Sequence, residues 1–241
     1  MNVMPPGAAG IVVALEKEAA CLAGRRLPTE RVVTLDDGCR ILLCGDGPER
    51  AGNAAIELMN GGAQLLLCIG TAGALSPDLA PGDLVVPEKV IRNGHAYPND
   101  PAWRSLVLSG VSNAPGAVSG GNLLTVDRAI ARREDKAAAY RDSGAVAVDM
   151  ESASVLECAA ARGIRALALR VVLDGANTEV PDLILHNCDH FGRPRLAAMC
   201  AALLGNVRQI VPFLRIVQGF ASATRTLRWV GRNRKRLLPS T

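Results

Sequence analysis

Six short apolar runs, set apart by helical patterns, fix the architecture open to this chain. Ile11 to Leu15, Arg40 to Cys44, Leu65 to Ile69, Leu84 to Val90, Ala145 to Val148 and Leu167 to Leu173 read as strands. Leu65–Ile69 and Leu167–Leu173 are nearly unbroken, as expected of strands covered on both faces. Ala51, Ala54, Ala55, Leu58 and Met59 repeat at helical spacing until Gly61-Gly62 stops them. Further helices are expected from about Glu151 to Arg162 and from Pro194 to Leu204. Strands alternating with helices make a mostly parallel α/β sheet, and such sheets bind ligands beyond the carboxyl ends of their strands.

That rule directs attention to the residues just past each run. Glu16-Lys17-Glu18, Gly45-Asp46-Gly47, Gly70-Thr71, Asp149-Met150-Glu151 and Asp174 all fall at strand ends. Glu18, Glu151 and Asp174 come from three distant segments and suit a reaction that needs an acid, a base and a hydroxyl clamp. The pair around Met150 also fits a helix start, where carboxylates are favoured by free amides and the macrodipole. Gly70-Thr71-Ala72-Gly73 reads as a small-residue turn whose amides and hydroxyl suit an oxyanion or a sugar hydroxyl. The cluster GDGPERAG, Gly45 to Gly52, misses the GxGxxG spacing of a dinucleotide site and reads as a tight strand-to-helix turn. His186 and His190 are four residues apart but lack the catalytic Glu of HExxH and a third ligand, so a polar loop is the expectation and no metal.

Composition narrows the classes. At 241 residues with 49% hydrophobic content the chain buries a sizeable core, and at 3% aromatic it lacks a stacking platform for single-stranded nucleic acid. Its longest near-apolar stretch, Leu65 to Leu75, is too short to cross a bilayer, and no secretory signal is expected at the amino terminus. Seven scattered cysteines without a CxxC pair read as reduced thiols of a cytoplasmic protein. Ten of the 27 basic residues, and none of the 23 acidic ones, lie between Phe191 and Thr241, leaving the first 190 residues at −6. An anionic partner would meet the tail.

The segments ALEKEA (14–19), CGDGPERA (44–51), IGTAGAL (69–75) with PGDLVVP (81–87), AVDMESAS (147–154) and LRVVLDGA (169–176) together resemble the nucleoside phosphorylase/nucleosidase superfamily. The likeness spans roughly residues 10 to 205. Within the superfamily, GDGPERA, GAVAVDMES, FGRPRL and the Arg-rich tail are similar to the hopanoid-associated phosphorylase branch, which removes adenine from adenosylhopane. The resemblance implies a three-layer α/β sandwich around a mostly parallel, mixed sheet in residues 1–206, a homodimer, and cleavage of a purine–ribose N-glycosidic bond without a cofactor. By matched position Asp174 protonates the purine at N7, and Glu18 positions or activates water. Glu151 holds the ribose hydroxyls, and Met150 packs beneath the sugar. Thr71, Gly70 and Gly47 would line the nucleophile pocket, and Leu123 and Leu124 the base pocket. Many phosphorylases place an arginine just before the glycine-rich turn, where this chain has Cys68-Ile69. The reading therefore leans to water, with inorganic phosphate open as co-substrate and Arg50 as its possible partner. A soluble 5′-methylthioadenosine/S-adenosylhomocysteine nucleosidase is the alternative.

In the tail, Val207, Ile210, Val211, Leu214, Val217 and Ala221 follow helical spacing among arginines. An interfacial membrane helix over 207–236 and a helix docked on its own protein fit that pattern equally. A lipid substrate favours the first. RNA binding is disfavoured by the acidic remainder.

Overall fold

The computed structural model of the protein describes residues 9–205 and 209–239. Its frame is one mixed sheet centred on the long strand β4 (Leu65–Ala74), which β1 (Ala9–Val13) and β11 (Arg165–Asp174) flank in parallel. β10 (Ala145–Asp149) joins the far end of β4 antiparallel, through Ala147 opposite Ala74 and Val148 opposite Gly73. β3 (Arg40–Leu43) and β2 (Val32–Thr34) extend the sheet beyond β1, while β9 (Asn122–Thr125), β6 (Lys89–Arg92) and β7 (His95–Pro98) extend it beyond β10. The short strands β5 (Leu84–Val85) and β8 (Val118–Ser119) branch from β11.

Alternation along the central strands feeds two cores at once. On β4, Leu66, Cys68 and Ala72 face one side and Leu65, Leu67 and Ile69 the other. On β11, Ala166, Ala168 and Val172 oppose Leu167, Leu169 and Val171 in the same way. Helices α2 (Pro48–Asn60) and α5 (Ser152–Ala160) cover the first side. Helices α1 (Glu16–Ala23), α3 (Pro101–Gly110) and α8 (Ile210–Leu237) cover the second. The result is the expected α/β layering around a mixed sheet. Three further helices are α4 (Arg133–Ser143), α6 (Asp182–His186) and α7 (Leu196–Gly205).

Three local expectations are corrected. Gly70 to Gly73 is not a turn, because β4 runs on through it to Ala74 and pairs residue by residue with β11. The run Leu84 to Val90 is two strands, broken around Pro87, which has no N–H to give a ladder. The closing helix begins at Leu196 rather than at Pro194.

The tail departs from expectation in the face that it buries. From Ile216 onward α8 is docked on its own protein through a face other than the predicted one, with Ala223, Leu227, Val230 and Leu237 buried in the second core. Burying each such Val or Leu contributes about 1.5–3 kcal/mol. Two glycines let the helix touch backbone. A Cβ on Gly219 would stand 2.1 Å from the Leu173 carbonyl oxygen, and one on Gly231 2.7 Å from that of Cys21. Thr226 Oγ1 donates to the Gly82 carbonyl at 2.8 Å, Trp103 Nε1 to that of Leu237 at 2.6 Å, and Arg234 Nε to Asp37 at 2.5 Å. The predicted apolar face, at Ile210, Val211, Leu214, Val217 and Ala221, remains exposed. Val207 and Arg208, assigned to the same helix, lie outside the described residues. Among the described residues no helix is long and apolar enough to cross a membrane.

Candidate active site

A cavity of about 550 Å³ opens beyond the strand ends. Its sheet wall carries Glu18, Thr71, Met150, Glu151 and Asp174, which the chain order separates by up to 156 positions. What α6, α7 and α8 contribute is wholly apolar, including Ile184, Leu196, Met199, Phe213, Ile216 and Phe220.

Glu18 sits in the first turn of α1, buried, with both carboxylate oxygens engaged. The Thr71 amide and hydroxyl each donate to Oε1 at 2.7 Å, and the Leu15 amide donates to Oε2 at 3.1 Å. Burial pushes its carboxyl up, against those bonds and the charge of Arg170. Gly70 lies beneath this group. A Cβ there would come 2.5 Å from Arg170 and 2.9 Å from Glu18, so only glycine allows the pair to approach the strand.

Arg170, four residues before Asp174, is a charge to which the sequence assigns no role. It is fully buried in β11, opposite Gly70 in the register, and its guanidinium meets Asp149 at 2.6 Å and Glu151 at 3.4 Å. Burial works against its charge, but Asp149, Glu151 and Glu18 hold it firmly protonated. A lone arginine inside an apolar strand was the signal, since such a charge is retained only where carboxylates meet it. Asp149 proves to be the helix-start group: it accepts from the Ser152 amide at 3.0 Å and from Thr125 Oγ1 at 2.5 Å. Its neighbour Glu151 faces the cavity instead and accepts from the Gly47 amide at 3.1 Å. Gly47 holds φ 99, a conformation that glycine adopts without strain, and it delivers this amide just before Pro48 opens α2. Burial raises the Glu151 carboxyl to about 7, with Arg170 opposing and Asp149 adding.

Asp174 ends β11 after a register shift between Val172 and Asp174, which brings it opposite Gly73. A Cβ at Gly73 would stand 3.4 Å from its carboxylate. Burial pushes Asp174 up, against the pull of Lys136, whose ammonium contacts it directly. Lys136 is the second residue missed: REDKAAAYRDS looks like a solvated surface helix and gives no sign that one lysine turns inward.

Other assignments do not gather here. Leu123 is fully buried in the first core, and Leu124 packs towards Leu75, Ala145 and Val148. Neither lines the cavity, which β9 reaches only past its end, through Val126, Ala129 and Ile130. Arg50 pairs with Glu30 at the surface. His190 bonds Asp46 and His186 the Asp182 carbonyl, and no metal-ligand cluster exists among the described residues.

The Phosphorylase superfamily model matches residues 9–207, which takes in every strand and the whole sheet wall of the cavity. The chain belongs to the phosphorylase superfamily. As a member it is an enzyme of nucleoside N-glycosidic bond cleavage. Solved structures share the superfamily fold at low identity. A 5′-methylthioadenosine/S-adenosylhomocysteine nucleosidase from Neisseria meningitidis in complex with methylthio-immucillin-A is 17% identical, with a TM-score of 0.69 over 95% of this chain and 99% of that one. The native futalosine hydrolase of Helicobacter pylori is 16% identical, with a TM-score of 0.68 over 95% and 96%. A Francisella philomiragia structure described as a putative nucleosidase of the first kind is 16% identical, with a TM-score of 0.70 over 96% and 98%. No curated protein sequence is significantly similar.

Proposed function

We propose that this superfamily member releases adenine from a 5′-substituted adenosine with a large apolar 5′ group, adenosylhopane, using water as nucleophile. The observation that carries the reading is the division of the cavity. Groups able to handle a purine riboside stand on the sheet wall, and α6, α7 and α8 add a continuous set of apolar side chains beside them. In this reading Asp174 gives its proton to purine N7, Glu151 accepts from the ribose hydroxyls, and Met150 packs under the sugar. Glu18, steadied by Thr71, takes a proton from the attacking water. As the bond breaks C1′ gains positive charge, which the buried carboxylates stabilise. Water is favoured over phosphate because Arg170 is already matched by Asp149 and Glu151, and Arg50 stands apart from the cavity.

The exposed stripe Ile210, Val211, Leu214 and Val217 continues the apolar wall to the surface, since Val217 belongs to both. We assign it contact with the inner face of a membrane from which a lipid-linked nucleoside is drawn, by a homodimer in the cytoplasm. The test is adenine release by purified protein from adenosines bearing methylthio, homocysteinyl and long apolar 5′ groups, each with and without phosphate. The expected result is the highest kcat/KM for the long apolar group, independent of phosphate. A preference for the methylthio compound would overturn the substrate, and a phosphate requirement the nucleophile.

A further inference from the structure

Lys136 is a buried cation that the proposed chemistry leaves unused. Helix α4 carries it inward from an otherwise polar surface, and its side chain is fully buried. An ammonium has three protons, and three acceptors meet this one: Asp174 Oδ2, the Thr178 carbonyl at 2.8 Å and the Gly175 carbonyl at 3.1 Å. Two of the three are backbone oxygens of the segment just after β11, so the lysine is fixed by the main chain and not by Asp174 alone. Asp174 lines the cavity, whereas Lys136 stands behind it.

We propose that Lys136 is a positioning residue for the leaving-group acid: it holds Asp174 by Oδ2, leaves Oδ1 free towards the purine, and stabilises the carboxylate that remains after proton transfer. This rests on the reading of Asp174 as the acid. The proton on Asp174 Oδ1 passes to purine N7, and the C1′–N9 electron pair enters the ring, so that adenine leaves neutral. The water oxygen bonds to C1′ and gives up a proton to Glu18. Asp174 is then an anion in a dry site, and an anion left alone there is costly. Lys136 offsets that cost in the direction the transition state develops, which makes the contribution catalytic and not merely cohesive.

Other charged groups border the cavity: Lys17 and Glu18 on α1, Asp46 before α2, Asp149 and Glu151 beside β10, and Asp189 after α6. None of them rivals Lys136 in its effect on Asp174, where burial and Lys136 oppose each other.

The experiment compares pH–rate profiles of wild type, K136M and D174N on the adenosine substrate and on a nitrophenyl riboside, whose leaving group needs no proton. K136M leaves burial unopposed, so Asp174 becomes a weaker acid and keeps its proton to higher pH. The alkaline limb should rise by about 1–3 pH units, as expected for loss of an opposite charge in contact, and the plateau should fall about ten-fold or more. The loss should shrink on the nitrophenyl riboside. A lysine that only held the fold would lower both substrates alike and leave the limb in place. Adenine release retained by D174N would overturn the acid assignment itself. Release lost in D174N but a wild-type limb in K136M would overturn the role of Lys136 alone. If K136M does not fold, K136Q, which keeps donors for the two carbonyls without the charge, is read in the same way.

Discussion

Replacing Glu151 by glutamine should make the protein more stable at alkaline pH while harming its use of ribonucleosides. Burial raises the Glu151 carboxyl from its ordinary 4.5 to about 7. Between those values the unfolded chain has lost the proton and the folded one still holds it, so stability falls as pH rises and levels off above about 7. At about 1.36 kcal/mol for each pH unit between the two values, the whole fall is about 3 kcal/mol, most of it between pH 5 and pH 8. The glutamine has no proton to lose and keeps an oxygen for the Gly47 amide, while Arg170 keeps Asp149 at 2.6 Å. Asp174 is raised as well and carries its own slope into both proteins, while Glu18, which repels Glu151, loses that repulsion in E151Q, an effect of the same sign as the one sought. The assay is urea unfolding of wild type and E151Q at pH 5 and pH 8. With about 2–3 kcal/mol per molar urea for a chain of this size, the midpoint of E151Q should gain about 1 M on wild type between the two conditions. Parallel shifts of the two proteins with pH would refute the argument.

Three more outcomes are expected from the same contacts. E151Q should lose at least ten-fold more kcat/KM on ribonucleosides than on their 2′-deoxy analogues, and equal losses would remove Glu151 from the ribose hydroxyls. G219A should destabilise by about 1–3 kcal/mol, because its Cβ would overlap the Leu173 carbonyl oxygen and overpacked sites relax at about that cost; an unchanged melting temperature would show that α8 does not dock as described. V211S with L214S, two exposed residues outside the cavity wall, should weaken flotation with anionic liposomes about ten-fold and leave turnover of 5′-methylthioadenosine within two-fold. Identical flotation would leave the stripe to a protein partner, the second copy first.

The sheet was legible because its central strands are apolar on both faces, and the carboxylates were legible because each follows such a strand. Pairing partners were not: a run such as Leu65–Ala74 says nothing of whether its neighbour runs parallel, and β4 has both kinds. Gly70 to Gly73 read as a turn because glycine breaks strands in general, yet here Gly70 makes room for the charged groups of Arg170 and Glu18. Lys136 was invisible because the inward face of its polar helix holds, besides the lysine itself, only the partly buried Ala139 and Tyr140, too little for a periodic trace. The tail misled differently. Its apolar residues fall on two faces, and the one with the denser run near its start, Val211, Leu214 and Val217, is the one left exposed. The buried face mixes Ile216, Leu227, Val230 and Leu237 with Gly219, Ala223, Thr226 and Gly231, whose value lies in close approach and leaves little apolar signal.

That docked tail has a bearing on how such an enzyme diversifies. The groups proposed to break the bond all lie between residues 18 and 174, inside the matched 9–207, whereas Phe213, Ile216, Val217 and Phe220 come from a helix beyond it. Selection for a new 5′ group can therefore rewrite the first two turns of one terminal helix without disturbing a strand, provided the glycines and Trp103 still seat its far end. If the proposed division of the cavity holds, part of the selectivity sits on a stretch of chain separate from the reacting groups, and grafting the terminal helix of one member onto the sheet of another would shift substrate preference while keeping the reaction.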